Sequence, residues 1–143
     1  MRNQAHLKLL SKSSNVGLAR VAVATFASEL DFTLNELEEI KVAVSEAVTN
    51  CIIHGYPMKE GTIDIEMEIT GDKLTVIVTD YGVGIEDVEA VLRPSFTTKD
   101  EHMGLGLAFI DSFMDDFKLE SELNKGTRVI MVKVPERYKQ VKK

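Results

Sequence analysis

Val42-Ala-Val-Ser-Glu-Ala-Val-Thr-Asn-Cys-Ile-Ile53 is apolar on nearly every side, the pattern of a helix enclosed by the rest of its domain. Two polar residues interrupt it, Glu46 and Asn50. At i and i+4 they stand one above the other on a single helical face. The main apolar stripe runs through Leu37, Ile40, Val44, Val48 and Cys51. At roughly 100° per residue, Glu46 falls nearly opposite that stripe. A carboxylate and a carboxamide in such surroundings need partners, because an unpaired buried charge is costly. Taken alone, the pair fits a structural role, satisfied by neighbouring backbone or by a salt bridge. The glycine motifs further along the chain tip the reading towards chemistry.

Thr33-Leu-Asn-Glu36 is a capping box that starts this helix, with threonine at the N-cap and glutamate at N3. His54-Gly55 is expected to stop it, glycine suiting the C′ position, and Pro57 prevents its resumption. His54 reads as a cap or dipole partner, since no other histidine or cysteine lies at metal-ligand spacing. Before this helix, Val16, Ala19, Val23, Phe26 or Ala27, and Leu30 recur at helical spacing. Arg20 falls beside that stripe and is expected to be exposed. Ser13 or Ser14 is available as its N-cap. His6 to Leu10 alternates weakly and predicts a short first strand.

After the central helix, Thr62-Ile-Asp-Ile-Glu-Met-Glu-Ile69 alternates strictly, as a half-buried antiparallel strand does. Gly71-Asp72 makes a turn into the strand Lys73 to Asp80. Leu74, Val76 and Val78 share one face, and Asp80 has the same parity, which points its carboxylate towards the core side. Asp80-Tyr-Gly-Val-Gly84 follows, its glycines permitting close backbone approach. Asp87 to Leu92 predicts a short helix. Pro94 to Met103 shows no period and reads as a long loop, and loops of that length in a compact domain are usually functional or disordered. Gly104-Leu-Gly-Leu-Ala-Phe-Ile-Asp-Ser-Phe-Met-Asp-Asp116 then runs at helical spacing. Its glycine-rich entry into a helix N-terminus is a ready anion site. Phe117 to Leu123 and Thr127 to Val134 are strands joined by Asn124-Lys-Gly126.

Length and composition bound what this can be. The 143 residues, 44% apolar and 28% charged, suit one domain spanning 1–143 with a basic tail from about residue 137. A net charge of −6 argues against nucleic acid as a direct partner. The single cysteine, Cys51, cannot form an internal disulfide and reads as a buried core residue. No leader or membrane span is expected, and the cytoplasm is the expected compartment. Two phosphate loops are set aside. No GxxxxGK[ST] is present. Gly82-x-Gly84 lacks the third glycine at Asp87, and Gly104-x-Gly106 follows a loop rather than a strand, so neither supports a dinucleotide fold.

What remains is four pieces in order: Glu46 with Asn50, Asp80 with Gly82 and Gly84, Gly104 with Gly106, and Gly126-Thr127. In these the sequence resembles the GHKL ATP-binding superfamily. A closer resemblance covers nearly the whole chain. Val44-Ser-Glu-Ala-Val-Thr-Asn-Cys-Ile-Ile-His-Gly-Tyr56, Phe96-Thr-Thr-Lys99, Phe113-Met-Asp115 and Asn124-Lys-Gly-Thr127 are similar to the anti-sigma-F factors of spore-forming bacteria. Those are serine kinases that hold a sigma factor inactive and phosphorylate an anti-anti-sigma protein. The resemblance implies an α+β fold, a two-layer α/β sandwich with a mixed, mostly antiparallel sheet and helices on one face. It implies a homodimer, and ATP with Mg²⁺, leaving ADP as product.

The implied roles match the residue chemistry. Asp80 offers acceptor oxygens to an adenine amino group, with Gly82 and Gly84 in the adjoining turn, and Thr127 bridges to the base directly or through water. Asn50 offers its carbonyl oxygen to Mg²⁺. Glu46 is placed to accept the proton of an incoming serine hydroxyl. The amides of Gly104, Leu105, Gly106 and Leu107 would cradle phosphate, with Lys99 as a charge partner. Arg20 falls where the family meets its sigma-factor and anti-anti-sigma partners. One departure stands out: Asp100-Glu-His-Met103 leads straight into Gly104 with no arginine, so Lys99 or His102 must contact the terminal phosphate. Three readings follow from this: a serine kinase and anti-sigma factor, an ATP-dependent sigma clamp with little kinase activity, and a related kinase of a stress-response switch.

Overall fold

The computed structural model describes residues 2–93 and 101–141. Among these residues five strands form one sheet: β1 (Arg2–Leu10), β2 (Thr62–Thr70), β3 (Lys73–Asp80), β4 (Asp116–Glu122) and β5 (Gly126–Lys133). Their order is β1-β2-β3-β5-β4. Every pairing among the described residues is antiparallel, in line with the mostly antiparallel sheet expected, with no parallel pair among them. The long connection from β3 to β4 places the later strand at the edge, and β5 returns between β4 and β3. β1 is nine residues long, longer than its weak alternation predicted. Only Leu9 is buried within it, which is why the hydrophobic pattern shows so little of it.

Helices α1 (Asn15–Ala27), α2 (Leu34–Asn50) and α4 (Glu101–Phe113) cover one face of the sheet. Ile63, Ile65, Ile69, Leu74, Val76, Val78 and Met131 on the strands are fully buried. They meet Ala19, Val23, Ile40, Ala43, Val44, Ala47, Val48 and Ile110 from the helices, equally buried. Burial of each large side chain contributes about 1.5–3 kcal/mol relative to exposure. The α2 stripe is the one its spacing predicted, and the face bearing Glu46 turns towards α4.

The capping box forms in full: Thr33 Oγ1 accepts from Glu36 N–H at 3.1 Å, and Glu36 Oε1 accepts from Thr33 N–H at 2.8 Å. Glu36 does more. Its second oxygen accepts from the Glu136 amide at 2.9 Å, at the start of α5 (Glu136–Val141). Residues 137–141, read from sequence as tail, therefore continue a docked helix. Arg137 pairs with Asp31 at 3.5 Å, and Lys139 bonds Asp115.

Two helix boundaries differ from the expectation. α2 ends at Asn50 and passes into a π-helical turn, Cys51–Gly55, closed by Tyr56 N–H to the Cys51 carbonyl at 3.0 Å. Gly55 does not take a positive φ, so it is not the left-handed stop foreseen. Its lack of a side chain serves a close approach, since a Cβ there would lie 2.7 Å from the Asp80 carboxylate. Likewise α4 begins at Glu101, three residues before Gly104, so 101–103 are helix and not loop. Ser14 occupies the N-cap of α1 without a side-chain capping bond.

Candidate functional site

Asp80 ends β3 on the buried side of the sheet, 3% exposed, as its parity with Leu74, Val76 and Val78 requires. Its Oδ1 accepts the Gly82 N–H at 2.9 Å. Burial pushes its carboxyl above the ordinary range, offset in part by donation from Gly82, the Cys51 thiol and the Thr127 backbone. Cys51 is pushed up strongly, first by burial and then by the Asp80 charge, so it stays a thiol and a donor.

The turn after Asp80 is held against the π-helical turn. Val83 N–H donates to the Gly55 carbonyl at 2.9 Å. A Cβ on Gly82 would fall 1.8 Å from that carbonyl oxygen, so only glycine allows this contact. Tyr56 braces the same turn. Its buried phenol accepts the Tyr81 N–H at 2.7 Å and donates to the Thr62 carbonyl at 2.6 Å. Burial raises its pKa, which keeps the donating proton in place.

Asp80 faces a cavity shared with Asn50, Cys51, His54, Met103, Leu107 and Thr127. Thr127 is the cross-strand partner of Asp80. The free space is about 20 Å³, room for one water. Met103 and Leu107 of α4 are 8% and 4% exposed and close it. The acceptor set fits a purine amino group, while admission of the ring requires these two side chains to withdraw.

On the other side of α2, Glu46 and Asn50 line an open groove of about 220 Å³ with Ile53, Leu105, Gly106 and Phe109. A Cβ on Gly106 would lie 2.7 Å from Glu46 Oε2, so this glycine lets α4 settle against the carboxylate. Asn50 and His54 border both the cavity and the groove. The structure thus brings together Glu46, Asn50, Asp80, Gly82, Gly84, Gly106, Leu107 and Thr127 around one stretch of α2.

Other expected site residues stand differently. Gly104, Leu105, Gly106 and Leu107 lie inside α4. The amides of the last three point to helical carbonyls one turn earlier, so no free N-terminal cradle exists at these positions in this conformation. The physical reason is that Met103, Leu107 and Ile110 bury one continuous stripe, carrying the helix through both glycines. Lys99 falls outside the described residues, as does the side chain of His102. Arg20 is exposed on α1 and is not among the residues that line the cavity. Among the described residues, no group of three or more His, Cys, Asp or Glu could hold a metal ion. No helix among them is long and apolar enough to cross a membrane.

Sequence reasoning missed three contributors. Cys51 lines the cavity instead of merely filling core. Tyr56 supports the Asp80 turn, and only its place in His54-Gly-Tyr56 hinted at it. Ser121 hydrogen-bonds Thr127 Oγ1 at 2.8 Å; its parity with buried Leu119 on β4 was the available signal.

The family profile described as "Histidine kinase-like ATPase domain" matches residues 9–133. An anti-sigma F factor of Clostridium kluyveri is 51% identical over 134 residues, covering 92% of this chain and 94% of the relative. Another from Clostridium acetobutylicum is 50% identical over 135 residues, covering 93% and 94%. Among solved structures, the RsbU and RsbW domains of a Mycobacterium tuberculosis protein superpose with a TM-score of 0.68. Identity there is 18%, with 92% of this chain and 32% of that one covered. A blue-light activated histidine kinase of Erythrobacter litoralis gives 0.59 at 17% identity, covering 90% and 43%. These two establish the fold. The chain belongs to the histidine kinase-like ATPase domain family and, within it, to the anti-sigma F factors.

Proposed function

We propose that this protein is an anti-sigma factor that binds and inhibits a sporulation sigma factor of the sigma-F type. On this reading it is also an ATP-dependent kinase of a serine on an anti-anti-sigma protein. The observation that carries the reading is the placement of Glu46 and Asn50 one helical turn apart. Both line an open groove, and Asn50 also borders the cavity walled by the buried acceptor Asp80. Bound ATP·Mg²⁺ supplies the phosphoryl group. Asp80 accepts from the base amino group, and the buried setting makes that hydrogen bond strong. Asn50 would hold Mg²⁺ through its carbonyl oxygen, the metal there supplying charge neutralisation for the phosphates. Glu46 takes the proton of the attacking serine hydroxyl, and ADP is released. Catalysis then rests on positioning and electrostatics.

Arg20 serves the protein partners. Leu18 and Val21 beside it are 52% and 56% exposed, and arginine next to exposed apolar side chains is a common interface composition. The edge position of β1 supports a homodimer, because an unpaired strand edge is a template for a second copy. A second reading, an ATP-dependent clamp with little kinase activity, draws support from α4, whose amides are engaged and whose first turns close the base cavity.

Labelled ATP, Mg²⁺ and candidate anti-anti-sigma proteins decide between the two. Transfer of label to a serine is the expected result. Nucleotide-dependent capture of a sigma factor without transfer would establish the clamp, and failure of both would sink the proposal.

A further inference from the structure

Ser121 sits on β4 directly across from Thr127 in the strand register. Its Oγ has three polar neighbours. The Ile85 N–H approaches at 2.7 Å, the Gly126 carbonyl lies at 2.8 Å, and Thr127 Oγ1 lies at 2.8 Å. A serine hydroxyl owns one proton and two lone pairs. An amide N–H can only donate, and a carbonyl can only accept. The Ser121 proton therefore goes to Gly126, one lone pair takes Ile85, and the remaining lone pair must receive the Thr127 proton. With its proton spent, Thr127 presents only lone pairs elsewhere. Thr127 borders the same cavity as Asp80, whose ionised carboxylate is also acceptor-only.

We propose that Ser121 sets the hydrogen-bond polarity of the base pocket, fixing Thr127 as an acceptor beside Asp80 and thereby selecting 6-aminopurine over 6-oxopurine nucleotides. This rests on the nucleotide reading of the site. Two acceptors match the two N–H bonds of an exocyclic amino group. A 6-oxo group in that place sets lone pairs against lone pairs. Ser121 is a positioning residue, since it acts through Thr127 and the turn that carries Ile85.

The test is a comparison of ATP and inosine triphosphate affinities, by calorimetry on the full chain with Mg²⁺. Wild type is expected to prefer ATP. Ser121→Ala frees the Thr127 proton to turn to a 6-oxo group, so the preference should narrow by about fivefold, the worth of one neutral hydrogen bond. Loss of the Ile85 and Gly126 contacts weakens both nucleotides alike and leaves the ratio untouched. Ser121→Thr keeps the hydroxyl and should keep the wild-type ratio. Thr127→Val should narrow the ratio on its own, and adding Ser121→Ala to it should change the ratio no further. A parallel loss of both affinities in Ser121→Ala, with an unchanged ratio, overturns the proposal. Should that variant fail to fold, a wild-type ratio in Thr127→Val overturns it equally. If wild type binds neither nucleotide, the nucleotide reading itself has failed, a result distinct from tight ATP binding with no effect of Ser121 on the ratio.

Discussion

Replacing Asp80 by asparagine separates function from stability, because the two should move in opposite directions. The carboxylate is almost wholly buried, and burial raises its pKa. A folded-state pKa above the unfolded one means stability that is full at low pH and lost as pH rises through the folded value. At pH 7 the ionised group therefore costs the apoprotein stability. Asparagine keeps an oxygen for the Gly82 N–H and removes the charge. Its amide nitrogen, however, puts a donor where the base amino group needs an acceptor. Losing a hydrogen bond to a charged acceptor costs about 1.5–3 kcal/mol, a roughly ten- to hundred-fold weaker dissociation constant. Calorimetry with ATP·Mg²⁺ should show that loss, while thermal unfolding at pH 7 shows a melting temperature equal to or above wild type. On lowering the pH through the carboxylate range, any advantage of the variant should shrink. Wild-type ATP affinity would remove Asp80 from the base site, and a marked fall in melting temperature at pH 7 would show that the reasoning about its burial is wrong.

Glu46→Gln should bind ATP·Mg²⁺ and still hold a sigma factor, while single-turnover transfer slows by roughly 10²–10⁴; an unchanged rate excludes it as the base. Asn50→Ala should lose Mg²⁺-dependent affinity and transfer together, measured by titrating ATP with and without the metal. Gly106→Ala places a methyl 2.7 Å from Glu46 Oε2, the movable end of a flexible side chain. Helix propensity rises by about 1 kcal/mol, so urea unfolding should change little, while transfer slows through displacement of Glu46. Tyr56→Phe strands the Tyr81 N–H and the Thr62 carbonyl, and should cost about 1–3 kcal/mol in urea unfolding with an unchanged slope.

Local chemistry was legible where one residue's neighbours in sequence were also its neighbours in space. The capping box at Thr33 and Glu36, the alternation of β2 and β3, and the inward parity of Asp80 all follow from spacings of two to four residues. The misreadings share an opposite cause. The π-helical turn brings Gly55 against Asp80 and Gly82, contacts made with the end of a strand and its following turn less than a fifth of the chain later. Helix α4 starts early because Met103 finds a buried place beside Leu107, although glycines at 104 and 106 punctuate the sequence like a loop. Helix α5 is invisible in its own composition, since its N-terminal amide is satisfied by Glu36, a hundred residues earlier. Ser121 offers only its parity with Leu119 as a local signal, and although the hairpin brings Thr127 opposite it, the Ile85 amide thirty-six residues earlier becomes its neighbour only in the fold.

One helix governs access to both halves of the site. Met103 and Leu107 of α4 close the cavity at Asp80, while Leu105, Gly106 and Phe109 border the groove at Glu46. The far end of α4 is anchored. Lys133, 5% exposed, donates to the Phe113 carbonyl and pairs with Glu39 of α2 at 3.4 Å, and a cation at a helix C-terminus is favoured by the helix dipole. Phe109 and Phe113 stack at 6.0 Å on the same end. The Glu101 end has no comparable anchor among the described residues, and it carries two glycines, each costing about 1 kcal/mol of helix propensity relative to alanine. A purine bound as proposed would therefore gain its space most cheaply from the first turns of α4, where the helix is weakest, and not from its clamped end. Those turns hold Gly106 against Glu46. On the proposed function, making room for the base would shift the surroundings of Glu46 in the same movement, tying the proposed proton acceptor to the presence of nucleotide.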